Sequence, residues 1–527
     1  MAKRWIIAGA EVVDGTGKEP FVADVAVEGD RIAAVLPAAE SHGDAEVVKG
    51  EGMTLTPGFL DVHSHADNAP LLAENDVSKL TQGVTTEVVG NCGFSLAPRS
   101  DAHGGELGAY IARLFPQVEW RGGTFGEWLS VADAGGYVVN ALPLVGHGTV
   151  RLAALGFDNR PPGAAELARM QGYLEEALDA GAAGLSSGLI YPPGRFGDTE
   201  ELTALASVMR GRPALYATHM RNESSRLHDS IDEALAIGRG AGVRVEISHL
   251  KRTGRANWGR AAEALERIRR AREGGQEVYQ DVYPYTASST MLAMCLPREL
   301  SGLSDADLLA RLADPAVPER VRQAVADPCW DNHIKSCGGY GGIRIGNTPD
   351  GRYEGESLEE IAARLGVDGA EALVRVLREE SLKVSMIAFG MDEGDVRTFL
   401  ADPYTSIGSD GLPPGQGGKP HPRLWGTFGR VLGLYAREEG LFPFEEAVRR
   451  MTSLPAEAFR LRDVGRIAQG MRADLVLLDR GTVRDRATYT DPLLPTAGIR
   501  EVWIGGVRAL AGGEPTGVRA GSRLRSV

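Results

Sequence analysis

The segment Asp61-Val62-His63-Ser64-His65 places two imidazoles two residues apart at the end of an apolar run, TPGFLDVHSH. Side chains alternate faces along a strand, so His63 and His65 point the same way, and two imidazoles so placed can chelate one metal ion. Alone, the pattern is weak. Four further apolar runs end in a comparable way: EVVGNCG on Cys92 between Gly90 and Gly93, ALYATHMR on His219, VEISHLK on His249, and TSIGSDG on Asp410. Each residue singly has a bland explanation, since a buried cysteine is usually inert core and Ser-Asp-Gly is usually a turn. Six metal-competent side chains at five run ends are poorly explained by coincidence, and they predict a metal centre. Asp61 and Asp67 flank the histidine pair and are candidates to orient the imidazoles. His147, which ends LVGHG, is a candidate for hydrogen bonding in the same pocket.

The runs that carry these residues read as strands over 55–62, 83–89, 138–146, 182–187, 213–218, 243–248, 277–283 and 404–409. Most are separated by stretches with apolar residues at three- and four-residue spacing, such as AELARMQGYLEEALDA and AAEALERIRRARE, which predicts helices. Eight strands with intervening helices is the count for an α/β (β/α)₈ TIM-like barrel, whose active site lies at the C-terminal strand ends. The β-rich, glycine-punctuated runs in 5–55 and 464–511 predict that both termini build one small β-sandwich. The expected organisation is therefore a β-sandwich from 1–55 plus 462–527 and a metal-dependent barrel over 56–461. An α+β subdomain, 287–392, is inserted between the seventh and eighth strands. Insertions after barrel strands fall on the catalytic face, and the glycine-rich CGGYGGIRIGN suits a mobile cover over the active site.

The chain has 527 residues, 43% of them hydrophobic and 24% charged, with 68 glycines that suit many tight strand-to-helix turns. Its net charge of -14 argues against nucleic-acid and anionic-membrane partners. Only four cysteines are present (Cys92, Cys295, Cys329, Cys337), too few for a disulfide scaffold and consistent with a reducing compartment. Behind Lys3 and Arg4 the apolar run is too short for a secretion signal, so the expected location is cytoplasmic. A serine-hydrolase reading finds no G-x-S-x-G elbow in a strand-turn-helix context.

Taken together, TPGFLDVHSH, GVTTEVVGNCG, SSGLIYPPG, ATHMR, SHLK, DVYPYTASST and IGSDGLPPGQGGKPHPRLWGTFGRVLG resemble the amidohydrolase superfamily. Within it they resemble the D-aminoacylase or N-acyl-D-amino-acid deacylase family. Many amidohydrolases bridge two metals with a carboxylated lysine on the fourth strand; here that strand, AAGLSSGLIY, has none. The resemblance implies that Cys92 replaces the bridge. A thiolate with two neutral imidazoles suits zinc, so Cys92, His219 and His249 should hold one tight Zn²⁺. His63, His65 and Asp410 would then frame a second, weaker position. The resemblance also implies hydrolysis of N-acyl-D-amino acids, with Asp410 as the base that takes the water's proton and gives it to the leaving nitrogen. Tyr191, Lys251, Ser288 and Arg423 match the family's positions for the substrate's α-carboxylate. The rivals are a dihydroorotase- or hydantoinase-like cyclic-amide hydrolase and a catalytically inactive scaffold.

Overall fold

The computed structural model describes residues 4–38, 45–115, 122–415 and 417–527. Lys3, residues 39–44 of the expected β-sandwich and Gln416 of the IGSDGLPPGQGG run lie outside them.

Eight strands run β1 (Phe59–Asp61), β2 (Val84–Val89), β3 (Asn140–Pro143, continued by Val145–Gly146), β4 (Gly184–Gly188), β5 (Leu215–His219), β6 (Arg244–Ile247), β7 (Val278–Val282) and β8 (Thr405–Ile407). Each pairs in parallel with the next. The ring closes where β8 leaves the sheet beside β1: Asp410 N donates to His63 O at 2.7 Å, and His65 N to Gly411 O at 3.0 Å. The barrel is thus tied shut by the backbone of residues that the sequence singles out for chemistry. The expected helices appear between strands, at Ala164–Ala180 and Ala261–Glu273. They cover the outer face of a sheet whose strands are buried on both sides, which is why these runs read as near-continuous apolar segments.

The run expected as one strand over 55–62 is two. Thr54–Pro57 belongs to the terminal sheet and Phe59–Asp61 to the barrel. Gly58 makes the crossing, because a Cβ there would lie 2.1 Å from the Thr85 hydroxyl. Both ends of the chain pair in one nine-stranded sheet, with Leu475–Leu478 from the C-terminal part inserted beside Thr54–Pro57. Trp5 and Trp503 stack with centroids 5.0 Å apart. Their strands lie three places apart in the sheet, about 14 Å if it were flat, so the sheet folds over to form a sandwich core. Residues 292–388 gather a separate apolar cluster beside a three-stranded antiparallel sheet, Ser288–Met291, Ser385–Ala388 and Ile343–Ile345. Among the described residues no helix is long and apolar enough to cross a membrane.

Trp503→Ala should lower stability by about 3–5 kcal/mol, because it empties the fold of the sandwich, while leaving activity per folded molecule unchanged. Thermal melts paired with active-fraction titration read both quantities.

Candidate metal centre

Cys92, His249 and Asp410 all sit at positive φ (55°, 36° and 48°) just beyond β2, β6 and β8. A non-glycine residue there costs of order 1–3 kcal/mol, so each must be held by its surroundings. Around Cys92, Ser186 on β4 accepts from Gly93 N at 3.0 Å and donates to Gly90 O. A Cβ on Gly90 would come 2.0 Å from Leu144 O, so the chain can pass there only as glycine. On either side of His249, Ser248 N donates to Thr218 O and Leu250 N to Asp281 O. The left-handed turns aim all three side chains at the barrel axis.

His63, His65, Cys92 and Asp410 bring one ligand atom each within 4.8 Å of one another, and so do Cys92, His219 and His249. Cys92 belongs to both sets. Its Sγ lies 3.6 Å from His219 Nδ1, 3.4 Å from His249 Nε2 and 3.2 Å from His63 Nε2. With Zn–S of about 2.3 Å and Zn–N of about 2.0–2.1 Å, the S···N edge of a tetrahedron is about 3.5 Å. The donor set and its spacing therefore fit zinc. On the other side, Asp410 Oδ1 stands 3.2 Å from His65 Nε2 and 3.7 Å from His63 Nε2.

Burial alone would push the Cys92 thiol up, but His63, His249 and His219 hold it well below the usual thiol range. Burial likewise opposes charge on His65, yet Asp410 and Cys92 keep it protonated up to about pH 9. Burial would raise Asp410 too, and Arg423 with the neighbouring imidazoles brings it well below the carboxylate range. Without metal, then, this is a thiolate and a carboxylate neutralised by protons on imidazoles.

Glu223 organises one flank. It is mostly buried, and Lys251 and the two imidazoles hold it well below its ordinary pKa against the upward push of burial. Its Oε1 lies 3.1 Å from His249 Nδ1, and Lys251 Nζ donates to the same oxygen at 2.6 Å. Lys251 Nζ also lies 2.7 Å from His249 Nδ1, so Glu223 and Lys251 converge on the edge of the ring opposite the Nε2 that faces Cys92. Across the barrel, Asp281 Oδ2 on β7 lies 3.5 Å from His63 Nδ1.

Asp61 does not orient an imidazole. It accepts from Ser409 N and Oγ at 2.7 and 2.5 Å and pairs with buried Lys79 at 3.0 Å, locking β8 to β1. Asp67 is pushed up to about 6 by burial, with His65 drawing it back. His147 lies off the cavity: its Nε2 meets Glu201 at 2.8 Å, and Arg151 holds the same carboxylate, so burial of a charge pair occupies it.

The cavity at the barrel mouth spans about 510 Å³, counting space open to solvent, and is lined by His65, Cys92, His219, His249 and Asp410 together with Tyr191, Lys251 and Ser288. The Tyr191 hydroxyl meets Thr290 Oγ1 at 3.0 Å. Arg423 stands behind this lining, fully buried, with Nη1 2.9 Å from Asp410 Oδ2 and its guanidinium 4.7 Å from the Tyr283 ring centre. Four residues escaped sequence reasoning: Glu223, Asp281, Tyr283 and His333. Tyr283 lines the cavity with a buried hydroxyl that has no partner among the described residues. His333 comes from the insertion, and burial keeps it neutral down to about pH 4. Only Glu223 left a readable signal, four residues past His219 in ATHMRNE.

Residues 347–509 match the family model described as "Amidohydrolase family". The chain is 38% identical to the N-acyl-D-aspartate deacylase of Alcaligenes xylosoxydans xylosoxydans over 514 residues, 97% of this chain and 93% of that one. A D-aminoacylase structure, from a study of one-metal activation and second-metal attenuation at its binuclear centre, superposes with TM-score 0.83 at 37% identity and covers 99% of both chains. The N-acyl-D-glutamate deacylase of Bordetella bronchiseptica, complexed with zinc and a phosphonate mimic of the tetrahedral intermediate, gives 0.82 at 36% identity and 100% coverage of both.

Metal should shield Cys92. In chelated protein its thiolate should react with iodoacetamide, and loading should suppress that reaction, while exposed Cys329 labels equally in both. Because a second ion framed by His63, His65 and Asp410 must displace the proton on His65, affinity for that second ion should rise with pH up to about 9. Peptide mapping and competition titrations measure these; equal Cys92 labelling in both states would contradict the assignment.

Proposed function

Because the chain belongs to the D-aminoacylase and N-acyl-D-amino-acid deacylase family of amidohydrolases, we propose that it hydrolyses N-acyl-D-amino acids at a zinc centre built around Cys92. The observation that carries this reading is the single thiolate shared between two ligand sets at tetrahedral spacing. Cys92, His219 and His249 hold the tight ion; His63, His65 and Asp410 frame a weaker second position. Bound zinc supplies Lewis acidity and an activated water whose pKa is brought towards about 7. Asp410 takes one proton from that water and passes it to the departing nitrogen as the water oxygen joins the acyl carbon and the C–N bond breaks. The products are a carboxylic acid and a free D-amino acid.

Arg423 and Lys251 are the cations for the substrate's α-carboxylate, with Tyr191, Ser288 and the unpartnered Tyr283 hydroxyl as further donors. In the chain itself Arg423 is held by Asp410 and Lys251 by Glu223, so the substrate anion must share or displace those carboxylates. The segment 287–392, inserted in a barrel over 56–461, covers this mouth. A β-sandwich of 1–55 with 462–527 supports the barrel from outside. The cyclic-amide rival loses ground because β4, GLSSG, carries no lysine. The scaffold reading loses ground because all six ligands converge.

A panel of N-acetyl-D- and N-acetyl-L-amino acids with an amine readout tests the activity; no turnover of any D-substrate by zinc-loaded protein would refute it. Asp410→Asn should keep the tight zinc yet lose about 10²–10⁴-fold in kcat, because an amide cannot accept the proton. Elemental analysis beside kinetics separates the two effects. Arg423→Ala should lose about 10- to 150-fold in kcat/KM on acyl-amino acids, the worth of a charge-assisted hydrogen bond. It should spare the plateau rate on an N-acyl amine that has no carboxylate. Since Arg423 lowers the Asp410 pKa, the acidic limb of its pH–rate profile should move to higher pH.

A further inference from the structure

Two large openings flank the metal cavity, and their charges differ. One, about 1520 Å³, lies between the loops after β4 and β5 and the inserted segment; Ile190, Glu223, Ser288 and His333 line both it and the metal cavity. The other, about 1130 Å³, runs between 72–77 and the loop after β8 and meets the metal cavity at Leu412. Its described lining holds Glu74 and Asp76 and no basic residue, beside an apolar wall of prolines, leucines and Trp425.

The first chamber carries Arg195, Arg221, Arg226 and Arg298. Arg221 is spoken for, since Glu233 binds its guanidinium at 2.9 Å. The other three differ. Arg195 donates only to neutral acceptors, Ser301 Oγ and the Arg298 carbonyl, and neither exposed Arg226 nor exposed Arg298 pairs with a carboxylate among the described residues. Of the chamber's carboxylates, Glu223 is bound to Lys251 and Asp331 accepts from Asn222 and Ser225, which leaves Glu299. Burial, with the neighbouring Arg298 adding to it, pushes Arg195 down to about 10, while Tyr110 and Glu299 draw it partly back. The chamber stands in a chain of net charge -14, whose overall field repels an anion.

We propose that this arginine-lined chamber is the admission route for the anionic substrate, with Arg195, Arg226 and Arg298 drawing the carboxylate inward while the acidic opening beside Glu74 and Asp76 rejects it. The inference rests on the proposed deacylase reading, which fixes the substrate as an anion. Clefts lined by one sign of charge within low-dielectric walls raise the local concentration of a counter-ion and its rate of arrival. The three arginines act before chemistry, so they are positioning residues. Their effect belongs in kcat/KM and must fade as salt screens it, the Debye length falling from about 30 Å at 0.01 M to about 3 Å at 1 M.

The test is the Arg226→Gln/Arg298→Gln double variant, assayed as zinc-loaded full-length protein against ionic strength on whichever N-acetyl-D-amino acid the parent turns over. Both positions are exposed, so the fold should be kept, and zinc content and melting temperature check that it is. At about 10 mM salt kcat/KM should fall about 10-fold with kcat within twofold, and the deficit should close at about 0.5 M salt. Glu74→Gln should leave kcat unchanged. A double variant with the parent's kcat/KM and salt slope would overturn the proposal. A loss that persists at high salt and is confined to substrates with acidic side chains would also overturn it, and would make the arginines direct ligands of that side chain. Failure of the deacylase reading shows separately, as a parent protein inactive on every acyl-amino acid.

Discussion

A buried thiolate shared between two sets of imidazoles sets the terms for the rest of this structure. Taking the Cys92 sulfur out of water as an anion is expensive, and only cations in contact with it can offset the cost. His63, His219 and His249 approach it from three strand ends. Metal replaces protons in that balance. The shape of the barrel serves the same requirement, since parallel strands bring residues far apart in the chain to one rim. At that rim the backbone of Asp410 and His63 completes the ring.

The cluster is held by charges one layer out. Glu223 and Lys251 pair with each other against the Nδ1 edge of His249; Lys79, Asp61 and Ser409 tie the first strand to the last. Left-handed backbone at Cys92, His249 and Asp410 stores strain at the site, with neighbouring strands over-determining each turn. Arg423 faces Asp410, so under the proposed function the guanidinium offered to the substrate's carboxylate is the one that touches the base. That reading couples binding and proton transfer through a single side chain.

Much of this was legible in the sequence. All eight barrel strands fall within a few residues of the runs that predict them, because strands buried on both faces leave continuous apolar segments. His63, His65, Cys92, His219, His249 and Asp410 were visible because each ends such a run, and the structure brings them together. What stayed hidden depends on tertiary reach. Nothing local in DVYPYTASST marks Asp281 as the neighbour of His63, or tells an unpartnered Tyr283 from a core tyrosine. His333 arrives from the insertion, far along the chain from both His249 and Asp410. Asp61, beside a ligand in sequence, and His147, at the end of a strand run, misled for the same reason: position along the chain does not say which partner, Lys79 or Glu201, a buried side chain will meet. The break at Gly58 was invisible because an apolar run does not show when a strand changes sheets.

The central claim is that one sulfur and two imidazole nitrogens bind the tight ion. Zinc-edge X-ray absorption on protein loaded with one equivalent measures this directly. The account predicts one sulfur at about 2.3 Å and two histidine nitrogens, with an oxygen, at about 2.0–2.1 Å. A shell of nitrogen and oxygen alone, with no sulfur scatterer, would contradict it.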